Sequence, residues 1–142
     1  MKSLSYLSFI CIMLLSACSV KPHPINEGED ACAYCKMTVA EKKYATEIVS
    51  NTGKIYVFDD MHCMKSFIKE NIVPSGDIKL MMVSDFYNPE NLIPADNALL
   101  FTSESLHTPM NGKTVGLADS GALKRIQQEM QGNSLTIQQL LQ

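Results

Sequence analysis

Two parts of the sequence repeat the same order of turn, strand, helix cap and helix, and this repetition limits the possible folds more than any other feature. When Gly53 is aligned with Gly112, Asp60 falls on Asp119 without a gap. Glycine beside threonine or asparagine indicates a turn, and an aspartate before an apolar helical pattern indicates a helix N-cap. We therefore predict an α+β fold of two small tandem antiparallel β-β-α units, packed side by side, whose helices bury their apolar faces on the sheets.

Hydrophobic periodicity predicts the elements of both units. Segments rich in β-branched and aromatic residues predict strands at residues 44–50, 54–58, 78–83, 98–102 and 113–117. Apolar residues at helical spacing, together with the two caps, predict helices at residues 61–71, from 120 to about 131, and at 134–141. Residues 88–96 contain two prolines and are expected to form a long loop.

The first residues are typical of a bacterial lipoprotein signal. Lys2 gives a positive start, residues 4–15 are apolar, and Leu15-Ser16-Ala17-Cys18 resembles a lipobox. The apolar run is shorter than the ~20 residues that span a bilayer, as expected for a cleaved signal. We predict a signal peptide over residues 1–17, lipid attachment at Cys18, and a cell-membrane anchor on the periplasmic side, at either the inner or the outer membrane. The alternative is an ordinary signal peptide with a coincidental cysteine.

After cleavage, the chain is expected to consist of a tether and one metal-binding domain. Residues 18–30 contain two prolines and a glycine with little apolar content, which predicts a flexible tether. The domain is expected to cover residues 31–142, with pseudo-repeat halves at about 31–76 and 77–142. The formal net charge of −3 gives the chain no electrostatic reason to bind nucleic acid.

Sulfur ligands are concentrated directly after this tether. Cys32, Cys35 and Met37 lie within six residues, and thiolate with thioether is a ligand set suited to Cu(I). Cys63 is expected in the first turn of a helix, where unpaired N–H groups and the helix dipole favour the thiolate. Outside the signal and the lipid attachment the cysteines number three, and an odd count in an exported protein indicates a working thiol.

A further candidate ligand lies in the second unit. In His107-Thr108-Pro109-Met110-Asn111-Gly112, the proline fixes the approach to Met110 and Asn-Gly turns the chain directly after it. A methionine at a rigid loop tip has little core to fill, so we predict Met110 as a metal ligand. His107 is either a second ligand or a solvated loop residue. Met64 aligns with a leucine of the second unit and is expected in the core, whereas His62 is expected to be exposed.

The sequence resembles the NosL family in several separate motifs. They are Cys32-x-x-Cys35-x-Met37-Thr38-Val39, then Gly53-Lys54-x-Tyr56-x-Phe58-Asp59-Asp60 with Cys63 beyond it, and Pro109-Met110. The resemblance runs from residue 30 to the helix after residue 119. It departs at Lys36 and Asn111, where the family usually has glycine.

The resemblance implies two similar small α/β units and a function other than catalysis. Members of the family are lipoproteins encoded with nitrous oxide reductase, the copper enzyme of denitrification, and are understood as Cu(I) chaperones for its copper-sulfide centre. For this chain the resemblance implies Cu(I) as the metal, and nitrous oxide reductase or its maturation complex as the partner. The residues predicted to hold the metal are Cys32, Cys35, Met37, Cys63 and Met110.

Two other classes of function remain open from the residues alone. One is an extracytoplasmic thiol-disulfide oxidoreductase that uses Cys32 and Cys35, although a thioredoxin-like pair would follow a strand and open a helix. The other is a zinc-binding structural interaction module, which would need a fourth strong ligand, with His62 the nearest in sequence. We place no paired catalytic carboxylates, Ser-His-Asp arrangement or glycine-rich phosphate loop in the sequence, so we do not expect an enzyme.

Overall fold

The repeated sequence pattern corresponds to two units with the same order of elements. The computed structural model describes residues 21–142. The first unit consists of β1 (Thr46–Ser50), β2 (Ile55–Phe58), α1 (Met61–Lys69) and β3 (Ile78–Asp85), and it is followed by β4 (Asn88–Pro94). The second unit consists of β5 (Leu99–Thr102), β6 (Thr114–Leu117), α2 (Ser120–Glu129) and β7 (Asn133–Leu135), and it is followed by α3 (Ile137–Leu141). Short 3-10 helices lie at Lys42–Tyr44 and Ser75–Asp77.

The strand order of the two units is also the same. The first strand of each unit lies in the centre and pairs antiparallel with both neighbours, giving β2–β1–β3 and β6–β5–β7. This confirms the predicted α+β fold of two tandem units. Each unit gains a strand after its helix: β3, which the sequence placed in the second half, pairs with β1 of the first unit.

The strands of the two units form one seven-stranded sheet, and they are joined by a single pair of residues. Asp85 at the end of β3 pairs in parallel with Gly116 of β6. A Cβ atom at Gly116 would lie 2.6 Å from a methyl carbon of Val83 and 3.0 Å from the carbonyl oxygen of Ser84. Glycine is therefore required at this position, because any side chain would push the units apart.

The prediction of a long loop at residues 88–96 was wrong. β4 pairs antiparallel with β3, and within the described residues β3 is its only strand partner. Its two prolines, Pro89 and Pro94, lack the backbone N–H that a central strand would need. An edge strand tolerates them because the outward-facing positions need no donor.

The C-terminal elements also differ from the prediction of one helix over residues 134–141. β7 extends the second unit by pairing with β5, and the helix begins only after it. Thr136 sets the start of α3, since its side chain accepts a hydrogen bond from the backbone N–H of Gln139 and the Gln139 side chain accepts one from the N–H of Thr136. This capping box fixes the start of the helix three residues later than predicted.

The main apolar cluster surrounds α1 and contains buried residues of both units. Phe67 on α1 packs edge-on against Phe58, with ring centroids 5.0 Å apart. Met64 is fully buried there, as predicted. Cys32 and Cys63 belong to the same cluster, so two of the predicted ligands lie where water is largely excluded.

The segment before the first cysteine is bound to the body of the protein. Ile25 is buried against Val39 and Ala45, and the backbone N–H of His23 donates to the carboxylate of Glu47 at 3.1 Å. The prediction of a flexible tether reaching residue 30 was therefore wrong for residues 23–30. The predicted signal peptide and the predicted lipid attachment at Cys18 lie outside the described residues.

The described part of the chain contains no helix that is both long enough and apolar enough to cross a membrane.

Candidate metal centre

Cys32 and Cys35 lie on a closed turn. The backbone N–H of Cys32 donates to the carbonyl of Met37 at 2.8 Å, and that of Lys36 donates back to Cys32 at 3.1 Å. Lys36 adopts a left-handed conformation, with φ of 67°, at the position where glycine is usual in the family. The turn is attached to the sheet by a 2.7 Å hydrogen bond from Ala33 to Val57 on the edge strand β2.

The third thiol, that of Cys63, lies on α1. Asp60 caps this helix by accepting hydrogen bonds from the backbone N–H groups of His62 and Cys63. The cap fixes Cys63 in the first helical turn, as predicted. His62 is exposed, also as predicted.

The structure brings the three cysteines together into one group. The sulfur atoms of Cys32, Cys35 and Cys63 all lie within 4.8 Å of one another, and none of them is in a disulfide. Within residues 21–142, no other group of three or more histidine, cysteine or acidic side chains lies close enough to share one ion. We call this group the thiol cluster.

The thiol cluster favours a single thiolate, and it lies on Cys32. Its pKa is lowered to about 5, chiefly because the thiol of Cys63 donates a hydrogen bond to its sulfur, with further help from backbone N–H groups at Asp59, Cys35 and Tyr34. Donating that proton raises the pKa of Cys63, and burial is the largest cause of the raised pKa of Cys35. The sequence led us to expect the thiolate at Cys63, whereas in this arrangement the Cys63 thiol is the donor and Cys32 the acceptor.

The two predicted thioether ligands lie in different environments. Met37 is 50 % exposed, on the same turn as Cys32 and Cys35. Met110 is partly buried and packs against the apolar cluster that contains Cys32 and Cys63. The structure thus places Met110 against the main apolar cluster, whereas Met37 remains at the surface. His107 is exposed.

The loop that carries Met110 is held by contacts that the sequence did not predict. A turn closes from Thr108 to Asn111, whose N–H donates to the Thr108 carbonyl at 3.0 Å. Asn111 is left-handed, with φ of 59°, again where glycine is usual in the family. The carboxylate of Asp60 accepts hydrogen bonds from this loop as well as from α1. The sequence indicated Asp60 only as a helix cap, and a lone threonine such as Thr108 carries no signal of a long-range contact.

The fold and the thiol cluster define a small α+β protein with a candidate site for a soft metal ion. The chain belongs to the NosL family, whose sequence model matches residues 22–142. A search of curated proteins gives no significant match.

Among solved structures, the chain is similar to the crystal structure of the copper chaperone NosL from Shewanella denitrificans. The two share 16 % sequence identity with a TM-score of 0.68, over 83 % of this chain and 93 % of that one. At this identity the similarity shows a common fold.

Proposed function

We propose that this protein is an extracytoplasmic chaperone that binds Cu(I) and delivers it for assembly of the copper-sulfide centre of nitrous oxide reductase. The observation that carries the proposal is the thiol cluster, with its three sulfur atoms within 4.8 Å of one another. The similarity to a solved structure named as a copper chaperone supports it.

The number and type of ligands favour Cu(I) over zinc. Thiolate and thioether are soft ligands that suit Cu(I), which does not require four of them. A structural zinc site is almost always closed by four ligands. Within the described residues, the thiol cluster offers three, and the nearby methionines add thioethers rather than the imidazole or thiolate that zinc prefers.

The exposure of the ligands supports release as well as binding. Cys32 and Cys63 are buried, whereas Cys35 is only partly buried and Met37 is half exposed. An acceptor can therefore approach Cu(I) from the side of Cys35 and Met37 while the buried thiols still hold the ion. A chaperone needs such an open side, because transfer proceeds by exchange of ligands.

The proposal also includes a lipid anchor at Cys18, which would keep the site close to the membrane on the periplasmic side. The lipobox-like Leu15-Ser16-Ala17-Cys18 supports it. We expect Cys18→Ala to be released from membranes or to remain unprocessed. A processed, acylated Cys18→Ala protein in the membrane fraction would contradict the anchor.

Anaerobic titration of Cu(I) against a competing chelator tests binding. We expect about one Cu(I) per chain, with Zn(II) bound much more weakly, and a loss of affinity in Cys35→Ser and Met37→Leu. Met130→Leu is the matched control, because this thioether packs in the cluster of the second unit. Equal Cu(I) affinity in the wild type and all of these variants would show that the thiol cluster is not the Cu(I) site.

Delivery is tested in cells that lack this protein. We expect nitrous oxide reductase purified from the deletion strain to be deficient in copper and activity, most severely under copper limitation. Complementation with the wild-type gene should restore both, and complementation with Cys63→Ala should not. A fully loaded, active reductase from the deletion strain would contradict delivery.

One observation favours a second function, thiol-disulfide exchange. A thiolate on Cys32 with Cys35 beside it is a reactive arrangement. The pair lies on a turn attached to a strand edge, however, and not at the start of a helix. An oxidoreductase would form a reversible Cys32–Cys35 disulfide and exchange it with substrate thiols, which mass spectrometry of trapped mixed disulfides would detect.

A further inference from the structure

We propose that Asp60 is a positioning residue that couples the two units, holding Met110 at the thiol cluster through the same carboxylate that caps the helix of Cys63. This inference rests on the proposed function, because it assigns Asp60 a part in binding Cu(I). It goes beyond that function by naming how a loop of the second unit is fixed to the metal ligands of the first.

The two oxygens of the Asp60 carboxylate are divided between the two units. Oδ1 accepts from the backbone N–H groups of His62 at 2.9 Å and Cys63 at 3.2 Å. Oδ2 accepts from the hydroxyl of Thr108 at 2.8 Å and from the N–H groups of Met110 and Gly112, both at 3.0 Å. One rigid group therefore binds the backbone of Cys63 and the backbone of Met110.

The carboxylate that makes this contact is shielded from water. Asp60 is fully buried, and Thr108 is nearly so. A Cβ atom at Gly112 would lie 2.9 Å from Asp60 Oδ2 and 2.9 Å from the backbone nitrogen of His62. The loop thus approaches α1 so closely that only glycine fits. A buried carboxylate needs several hydrogen bonds, and here most of its acceptor capacity is used to join the units.

The equivalent aspartate of the second unit shows what a cap alone looks like. Asp119 accepts from the N–H groups of Gly121 and Ala122 through Oδ1, and its side chain is exposed. Capping a helix therefore explains Asp119 but accounts for only one of the two oxygens of Asp60. The remaining oxygen serves the Met110 loop.

The consequence for binding follows from ligand placement. Met110 has a long, flexible side chain that packs against the apolar cluster containing Cys32 and Cys63. For its thioether to reach an ion bound at the thiol cluster, its backbone has to be held beside α1. When the contact to Oδ2 is lost, Met110 is still present but its thioether is no longer held where it can bind the ion. Removing such an orienting partner typically costs 10–100-fold in metal affinity, so we expect a loss of about tenfold or more on this scale.

Two variants test the contact from opposite sides. Asp60→Asn keeps an oxygen that can cap α1, since asparagine is as good an N-cap as aspartate. The NH2 group that then replaces Oδ2 cannot accept from the N–H groups of Met110 and Gly112. Thr108→Val removes one donor from the loop and leaves the cap untouched. Asp119→Asn is the control, because it makes the same change at an aspartate that only caps its own helix.

The full chain in detergent is titrated anaerobically with Cu(I), and the ¹³C resonance of the Met110 ε-methyl group is followed, assigned by its loss in Met110→Leu. In the wild type this resonance should shift on Cu(I) addition. In Asp60→Asn and Thr108→Val the resonance should move before any metal is added, and the shift on Cu(I) addition should shrink. Asp119→Asn should behave as the wild type.

The affinities complete the test through a double-mutant cycle. Asp60→Asn and Met110→Leu should each weaken Cu(I) binding, and the double variant should be no weaker than the weaker single variant. Additive losses of affinity in the double variant would overturn the inference. So would an Asp60→Asn protein that is less stable but keeps the wild-type Cu(I) affinity and the wild-type shift of the Met110 resonance. A wild type that binds no Cu(I) would instead contradict the proposed function, while the metal-free Met110 resonance would still report whether Asp60 holds the loop.

Discussion

The first and second units share one topology but differ at the start of the helix. In the first unit, the turn after the cap carries Met61-His62-Cys63-Met64; in the second, it carries Ser120-Gly121-Ala122-Leu123. Each helix is capped by an aspartate that accepts from the next N–H groups. The backbone thus provides the same position twice, and only the first unit places a thiol there.

The units also differ in the hairpin between their first two strands. Five residues separate Val49 from its partner Ile55, whereas eleven separate Thr102 from its partner Thr114. The longer hairpin carries Met110 across to α1 of the first unit. Under the proposed function, the two units have different roles: the first holds the thiols, and the second supplies the loop that carries Met110.

The largest expected effect is the loss of Cu(I) affinity in Cys63→Ala. Removing a ligand should cost more than the 10–100-fold typical of losing an outer partner, so we expect a loss above about 100-fold. Ala122→Ser changes the equivalent position of the second unit and should leave the affinity unchanged. The competition titration described above measures both, and equal affinities would break the proposed division between the units.

The two glycines of the hairpins should respond differently to substitution. Gly112→Ala places a Cβ against Asp60 and His62, so it should destabilise the fold by about 1–3 kcal/mol, as overpacking does, and should weaken Cu(I) binding. Gly53→Ala has open space but a φ of +81°, so it should cost about 1–2 kcal/mol of stability and leave the affinity unchanged. Denaturant unfolding measures the change in stability, and Cu(I) titration measures the change in affinity. Weakened Cu(I) binding in Gly53→Ala would contradict the predicted difference between the two glycines.

A buried carboxyl group of the first unit should make stability depend on pH. Glu47 pairs with Val57 in the first unit, and Leu100 pairs with Gly116 at the equivalent position of the second unit. This buried position is therefore acidic in the first unit and apolar in the second. Burial is the main cause that raises the pKa of Glu47 above its ordinary value of 4.5, while the His23 N–H opposes it.

The sign follows from the raised pKa. Below pH 4.5 the carboxyl is protonated in both folded and unfolded states; as the pH rises, the unfolded state ionises first and the fold loses stability until the pH passes the folded-state pKa. Glu47→Gln should therefore be more stable than the wild type at pH 7, and this advantage should shrink towards pH 4. Unfolding the metal-free proteins in urea across this range measures it, and a constant difference would contradict it.

The smallest expected effects concern Lys36 and Asn111, two of the residues with a left-handed backbone. Lys36→Gly should stabilise the fold by about 0.5 kcal/mol, since a left-handed side chain costs ~1–2 kcal/mol and glycine costs part of this in entropy. Asn111→Gly should change stability less, because asparagine tolerates this conformation. Thermal unfolding measures both; destabilisation by Lys36→Gly would show that its ammonium contact to the carbonyl of Ala33 outweighs the strain.

Local patterns predicted the caps, the two helices and most strands correctly, because turn and cap residues act on their immediate neighbours. Asp60 and Asp119 both start helices, as their positions indicated. β4 was missed because proline argues against a strand unless the strand lies at an edge, which is a property of the assembled sheet. The start of α3 was misplaced because β7 forms only through pairing with β5.

The candidate site was predictable as a set of sulfur residues and not as a geometry. Cys32 and Cys35 were linked by spacing, but their closeness to Cys63 depends on the docking of the turn against α1. Which thiol carries the charge depends on hydrogen bonds within the thiol cluster. The second contact of Asp60 depends on the fold bringing Thr108 to it, and no local pattern reports that.

X-ray absorption at the copper edge reports the type of ligand around copper. On the full chain loaded with Cu(I), it tests directly whether sulfur ligands of the first unit hold the ion. We expect a coordination shell of sulfur only in the wild type and in Ala122→Ser, and a shell with fewer sulfur atoms in Cys63→Ala. A wild-type shell dominated by nitrogen or oxygen, or a Cys63→Ala spectrum identical to the wild type, would contradict it.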